Sequence, residues 1–134
     1  ATISVNNHGV VPYDMSGIII VSMALIITLM IELLAAFLYL RFKKIKKKSR
    51  ILRTVVIANI ISLPIVWLVF IPLLNGPGIL LGEVFAVVFE GYFIYYFNKK
   101  AMKLKNFMLM SLIMNLASAV IGGIVLLLVL GLFH

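Results

Sequence analysis

The chain has 134 residues, 64% of them hydrophobic and only 12% charged, against about 45–50% apolar and about 25% charged in soluble domains. That leaves too little polar side chain to cover a water-facing globule, so lipid is the solvent for much of the surface, and the length holds one domain. The net charge of +8 does not point to nucleic acid, because all 12 Lys and Arg fall in two short turns, 41–53 and 98–105, between apolar segments. The chain has no cysteine, and its two histidines, His8 and His134, lie near or at the ends. Disulfides, thiolate metal sites, cysteine nucleophiles and intramembrane histidine chemistry are excluded. No cofactor is expected.

Residues 1–16 are mixed and polar and form an exposed N-terminal segment. Ala1 reads as following either a trimmed Met or a cleaved signal peptide. The first apolar run, 17–40, is long enough as a helix, about 36 Å, to cross a hydrocarbon core of about 30 Å. Glu32 interrupts it, and the turn 41–53 carries eight basic residues.

The second run, 54–74, contains Asn59, Ser62, Pro64, Trp67 and Pro72. Pro64 lacks a backbone donor and is expected to kink the helix. Asn75-Gly76-Pro77-Gly78 follows as a turn signal without charge. The third run, 79–97, carries Glu83, Glu90 and Gly91 and ends on Tyr92, Tyr95 and Tyr96. With Tyr39 these tyrosines read as an interfacial aromatic belt. The fourth run, 107–133, carries Ser111, Asn115, Ser118 and Gly122-Gly123, a spacing of small residues that lets helices approach closely. The seven Met read as packing residues. Runs of this length without period-2 alternation are not barrel strands.

The expected fold is therefore an all-α membrane protein with transmembrane helices over 17–40, 54–74, 79–97 and 107–133. They form an up-down bundle of two hairpins, 17–74 and 79–133, within one domain, 17–134. Both basic turns belong on the cytoplasmic side of a multi-pass plasma-membrane protein with both termini outside. There they also meet anionic lipid headgroups, at about 1 kcal/mol per Lys or Arg near the surface.

A shift of 56 residues places Lys43-Lys44 on Lys99-Lys100, Asn59 on Asn115, Ser62 on Ser118 and Tyr39 on Tyr95, while Glu32 misses Glu90 by two. This reads as a duplicated helical hairpin with a pseudo-twofold along the membrane normal. The alternative is chance alignment of two hairpins that share inward-facing lysines.

The chemistry lies in three intramembrane acids. A charge at mid-bilayer costs about 2.5–3.5 kcal/mol on insertion scales, and such residues face the bundle interior. Glu32 stands nine residues before Arg41, Glu90 nine before Lys99, Asn59 six after Arg53 and Asn115 ten after Lys105. At 1.5 Å per residue all four fall about 9–15 Å from the basic boundary, in one polar layer. Glu83 lies two turns beyond Glu90 on the same face. Ser62 and Ser118 continue the layer.

No cation is available to these acids from the helices. Each carboxyl is then either protonated and hydrogen-bonded, or holds a cation. Two function classes follow. One is ion- or proton-coupled transport through Glu32, Glu83, Glu90, Asn59, Asn115, Ser62 and Ser118. The other is a non-enzymatic accessory subunit of a larger membrane complex, in which those residues only join helices. A homo-oligomer or a larger complex is expected in either case. An enzyme is not expected, since it would have to work through Glu and a metal alone. The pattern Glu32…Asn59-x-x-Ser62…Glu90…Asn115-x-x-Ser118 is similar to that of small four-helix prokaryotic membrane proteins, and implies no particular activity. Small multidrug transporters fit poorly. Their single essential Glu is in the first helix, and here two of the three acids are in the third.

Overall fold

A computed structural model describes residues 15–132. They form four long helices: α1 (Met15–Phe42), α2 (Lys48–Ile65) continued by a π-helical segment (Val66–Phe70), α3 (Ile71–Phe97) and α4 (Leu104–Leu132). There is no strand among the described residues. Each helix contains a stretch long and apolar enough to cross a membrane: Ser22–Phe42, Lys48–Val69, Gly76–Phe97 and Leu104–Val125. At 21 or 22 residues each, these span about 32–33 Å. Of the expected N-terminal segment 1–16, residues 1–14 lie outside the described residues, as do 133–134, and residues 15 and 16 already belong to α1.

The boundaries differ from the sequence reading where the sequence offered a competing signal. The first basic segment was read as a turn to residue 53, but helix α2 already begins at Lys48. Lys and Arg are good helix formers, and their stems let the charge reach water from a helix end. Pro64 does perturb α2, through a change of winding. The Val66 N–H is shared between the Ser62 and Leu63 carbonyls, and the next turn is π-helical. A missing proline donor commonly produces such a bulge. Helical winding then resumes at Ile71 and runs through residues 75–78, where an open turn was expected, with Pro77 inside the helix. Membrane helices tolerate proline better than soluble ones, because neighbouring groups re-satisfy the freed carbonyl.

Helix α1 packs on α2 and α4, and α3 packs on α2 and α4. Side-chain bonds from Asn98 to Thr54 and from Ser62 to Glu90 join α2 to α3 in opposite residue order. Both pairs are equidistant from Gly76.

The apolar core gathers at the basic end. It comprises Ala36 and Leu40 of α1, Ile51, Val55 and Ala58 of α2, Ile94 of α3, and Phe107, Met110 and Met114 of α4, with Met102 and Tyr39 beside them. Nearer the opposite end, the buried hydrophobics among the described residues are Val66 and Ala86. Met102, Met110 and Met114 are core residues, as suits this pliable side chain, whereas Met23 and Met30 are exposed, so the reading of all seven as packing residues does not hold. Tyr39 is a correction. It is only 7% exposed and its hydroxyl has no hydrogen-bond partner, so it belongs to the core. Tyr92 and Tyr96 are exposed and Tyr95 is half-buried.

Helix α1 ends in a Schellman turn. The Ile45 N–H donates to the Leu40 carbonyl at 3.0 Å and the Lys44 N–H to the Arg41 carbonyl at 3.0 Å. Ile45 packs back against the core. The left-handed residue is Lys44, with φ 60°, at a position where glycine is usual. A Cβ there costs about 1–2 kcal/mol. Lys44→Gly is expected to raise stability by about 0.5–1 kcal/mol, and Lys44→Val to lower it by about 1 kcal/mol. Unfolding of the detergent-solubilised protein measures both.

Candidate functional site

The amide–hydroxyl pairs of α2 and α4 face inward because each is spaced by three residues on a helix, which puts both on one stripe. Asn59 and Ser62 are fully buried, and Asn115 and Ser118 nearly so. Each asparagine first satisfies its own helix: Asn59 Nδ2 donates to the Val55 carbonyl at 3.0 Å, and Asn115 Nδ2 to the Ser111 carbonyl at 2.9 Å. Ser111 in turn donates to the Val87 carbonyl of α3 at 2.8 Å.

The carboxyl groups enter this layer from α1 and α3. Glu32 and Glu90 are 1% and 0% exposed, and their carboxyl groups are neighbours. The serine bonds are reciprocal across the bundle. Ser62 Oγ of α2 donates to Glu90 Oε2 of α3 at 2.6 Å, and Ser118 Oγ of α4 donates to Glu32 Oε2 of α1 at 2.8 Å. The asparagines break that reciprocity. Asn115 Nδ2 also donates to Glu90 Oε1 at 3.1 Å. Asn59 stands beside Glu32, yet its Oδ1 and the Glu32 Oε1 are both buried acceptors without a donor.

Six of the seven residues singled out by the sequence therefore meet in one layer. Glu83 does not join them. It is half-buried two turns away and reaches Glu90 only through its charge. No Lys or Arg lies in helix between residues 54 and 97, so the layer holds two carboxyl groups and no side-chain cation. Among the described residues no three His, Asp or Glu come together as a metal cluster. The oxygens on offer are two carboxyls, two amides and two hydroxyls. A cavity of about 260 Å3 between α1 and α2, lined by Leu25, Ile26, Leu29, Ile60, Leu63 and Pro64, has Asn59 in its wall.

Two supports were not read from the sequence. Asn98, counted there only as part of a basic turn, is buried. It donates to Thr54 Oγ1 at 3.1 Å and to the Ile94 carbonyl at 2.8 Å, fixing the end of α3 against α2. The close helix contact was placed at Gly122-Gly123, but a Cβ at either would meet nothing within 4 Å. The contact is at Gly91, beside Glu90, where a Cβ would strike Met108 Sδ and come within 3.2 Å of Met108 Cα on α4. Polar burial alone singles out Asn98, but a glycine contact depends on the partner helix and leaves no local signal.

No family model, no curated protein and no solved structure matches the chain.

Gly91→Ala is expected to push α3 from α4 and lower stability by about 1–3 kcal/mol, as overpacking does. Asn115→Ala, which strips a donor from Glu90, is expected to cost about 0.6–1.7 kcal/mol, the range of interhelical bonds in membranes. Asn59→Ala should cost less, since its one bond lies within its own helix. Unfolding in detergent ranks the three.

Proposed function

We propose that the chain is a small polytopic plasma-membrane protein that takes up and releases a proton or small cation at the Glu32–Glu90 pair, as one step of ion- or proton-coupled transport. The observation that carries this reading is the pairing of two buried carboxyls with no cationic side chain, next to two acceptor oxygens that have no donor. Two carboxyl groups so placed need positive charge between them. One proton or ion between Glu32 Oε1 and Asn59 Oδ1 satisfies both oxygens. Asn59 also lies in the wall of the apolar cavity between α1 and α2.

The remaining parts of the reading concern arrangement. The helices form two hairpins, with the basic turns cytoplasmic and both termini outside. The reciprocal serine bonds support descent of the two hairpins from one. Four helices form a thin wall for a sealed pathway, so a homo-oligomer or a larger complex completes it.

A second reading has its own support. The same bonds tie α2 to α3, α3 to α4 and α4 to α1, and that is what a layer serving only to join the helices of an accessory subunit needs.

The test is reconstitution of Glu32→Gln and Glu90→Gln in liposomes. Glutamine keeps a neutral hydrogen-bonding group, so both variants are expected to fold and assemble normally. Proton or cation flux should fall to the level of empty liposomes. Flux at the wild-type level in both variants sinks the transport reading. A wild-type chain with no flux that purifies in a fixed larger assembly favours the accessory role.

A further inference from the structure

The two basic turns lie side by side at one end of the bundle and enclose a cleft of about 770 Å3. Lys44, Lys46, Lys47 and Arg50 line it from the first turn, and Lys99 and Lys100 from the second. Half of the chain's 12 basic residues thus face one cleft. Among the described residues no acidic side chain balances them there. Glu32, Glu83 and Glu90 are inside the helices, and Asp14 precedes the first of them. Like charges gathered in a concave surface focus a positive field and repel one another until an anion enters.

The floor of the cleft is aromatic. Tyr96 and Phe97 line it, and the same two residues form the near end of an apolar groove of about 600 Å3 along α3, continuing through Tyr92 and Val88 to Val84. The groove thus covers about 20 Å of helix, slightly more than the roughly 15 Å of one leaflet's hydrocarbon. Lys99 Nζ sits 4.8 Å above the Tyr96 ring, at the join. Lys44, at the rim, occupies a left-handed position that glycine would fill with less strain.

We propose that cleft and groove form one binding site for a single phospholipid with an anionic headgroup, its phosphate among the lysines and an acyl chain along α3. The site is independent of the Glu32–Glu90 pair and stands whether or not that pair carries ions. It is distinct from the general attraction of basic turns to a charged membrane surface, because it uses six particular cations and a shaped apolar path.

The experiment uses the full chain in a neutral detergent, with bound lipid read by native mass spectrometry. Titrants are phosphatidylglycerol, phosphatidylcholine with the same acyl chains, and inorganic phosphate as competitor. One phosphatidylglycerol per chain is expected to bind at least about tenfold more tightly than phosphatidylcholine, and the quadruple variant Lys46→Gln, Lys47→Gln, Lys99→Gln, Lys100→Gln to remove that preference. A control quadruple, Arg41→Gln, Arg53→Gln, Lys103→Gln, Lys105→Gln, loses the same charge outside the cleft and should change affinity by less than about twofold. Phe89→Ala and Tyr92→Ala together are expected to weaken binding of the long-chain lipid. All substituted residues are exposed except Phe89, which is half-buried, and helical content by circular dichroism confirms that each variant is folded. Equal losses in the two quadruple variants would reduce the effect to general electrostatics and overturn the site. Displacement of the lipid by millimolar inorganic phosphate, or no effect of the aromatic pair, would overturn the acyl-chain half.

Discussion

Two carboxyl groups meeting in the middle of an apolar bundle without a cationic side chain is the constraint on which the rest of this structure depends. On insertion scales two such charges cost about 5–7 kcal/mol. The three interhelical bonds that reach them, from Ser62, Asn115 and Ser118, contribute on average about 2 kcal/mol in a membrane. The shortfall is about the size of one charge. Hydrogen bonding alone therefore does not account for two charged carboxylates here, and on the proposed reading a proton or small cation makes up the difference. The surrounding choices follow. Asparagine and serine are neutral, so they do not settle the charge permanently as a lysine would. Gly91, next to Glu90 in the chain, lets α4 come close enough for Asn115 to reach it.

Much of this was legible in the sequence because long apolar helices impose a simple ruler. Apolar runs of about 20 residues give the number of helices, the basic turns give their ends, and counting from those turns puts Glu32, Glu90, Asn59 and Asn115 at one depth. What the sequence did not carry were features that depend on two segments at once. Tyr39 looked interfacial by position, but its side is covered by other helices. Gly122-Gly123 has the spacing of a contact motif, yet nothing approaches it, whereas the single Gly91 has no motif and is crowded. Lys44 was counted as a charge, and its conformation was visible only in the Schellman turn. The π-helical end of α2 arises because Pro64 changes the winding without stopping the helix, which composition does not distinguish from a simple kink.

The two ends of the bundle are built for different tasks. At the basic end, aliphatic, aromatic and methionine side chains interlock, and Asn98 ties α3 to Thr54 of α2. The polar layer lies just beneath. Past it, the helices carry large exposed apolar residues such as Met23, Leu68, Leu80 and Leu127, which suit contact with lipid and do little to hold the helices to one another. The basic cleft and the aromatic groove, by contrast, are anchored to the firm half, so a ligand there is held by a surface that does not need to be ordered on binding.

This unevenness of packing has a kinetic consequence. Local opening is easiest where few apolar contacts must be broken, so the helices part more readily at the end carrying the π-helical segment than at the basic end. On the proposed reading, a proton or cation at the carboxyl pair meets a lower barrier on that side than on the basic side. Unequal barriers change how fast a particle arrives and leaves from each side, but not how strongly it is held, because affinity depends only on the end states. On that reading the packing asymmetry would set the pace of exchange across each face of the layer, while the direction of any net movement would be left to the gradient.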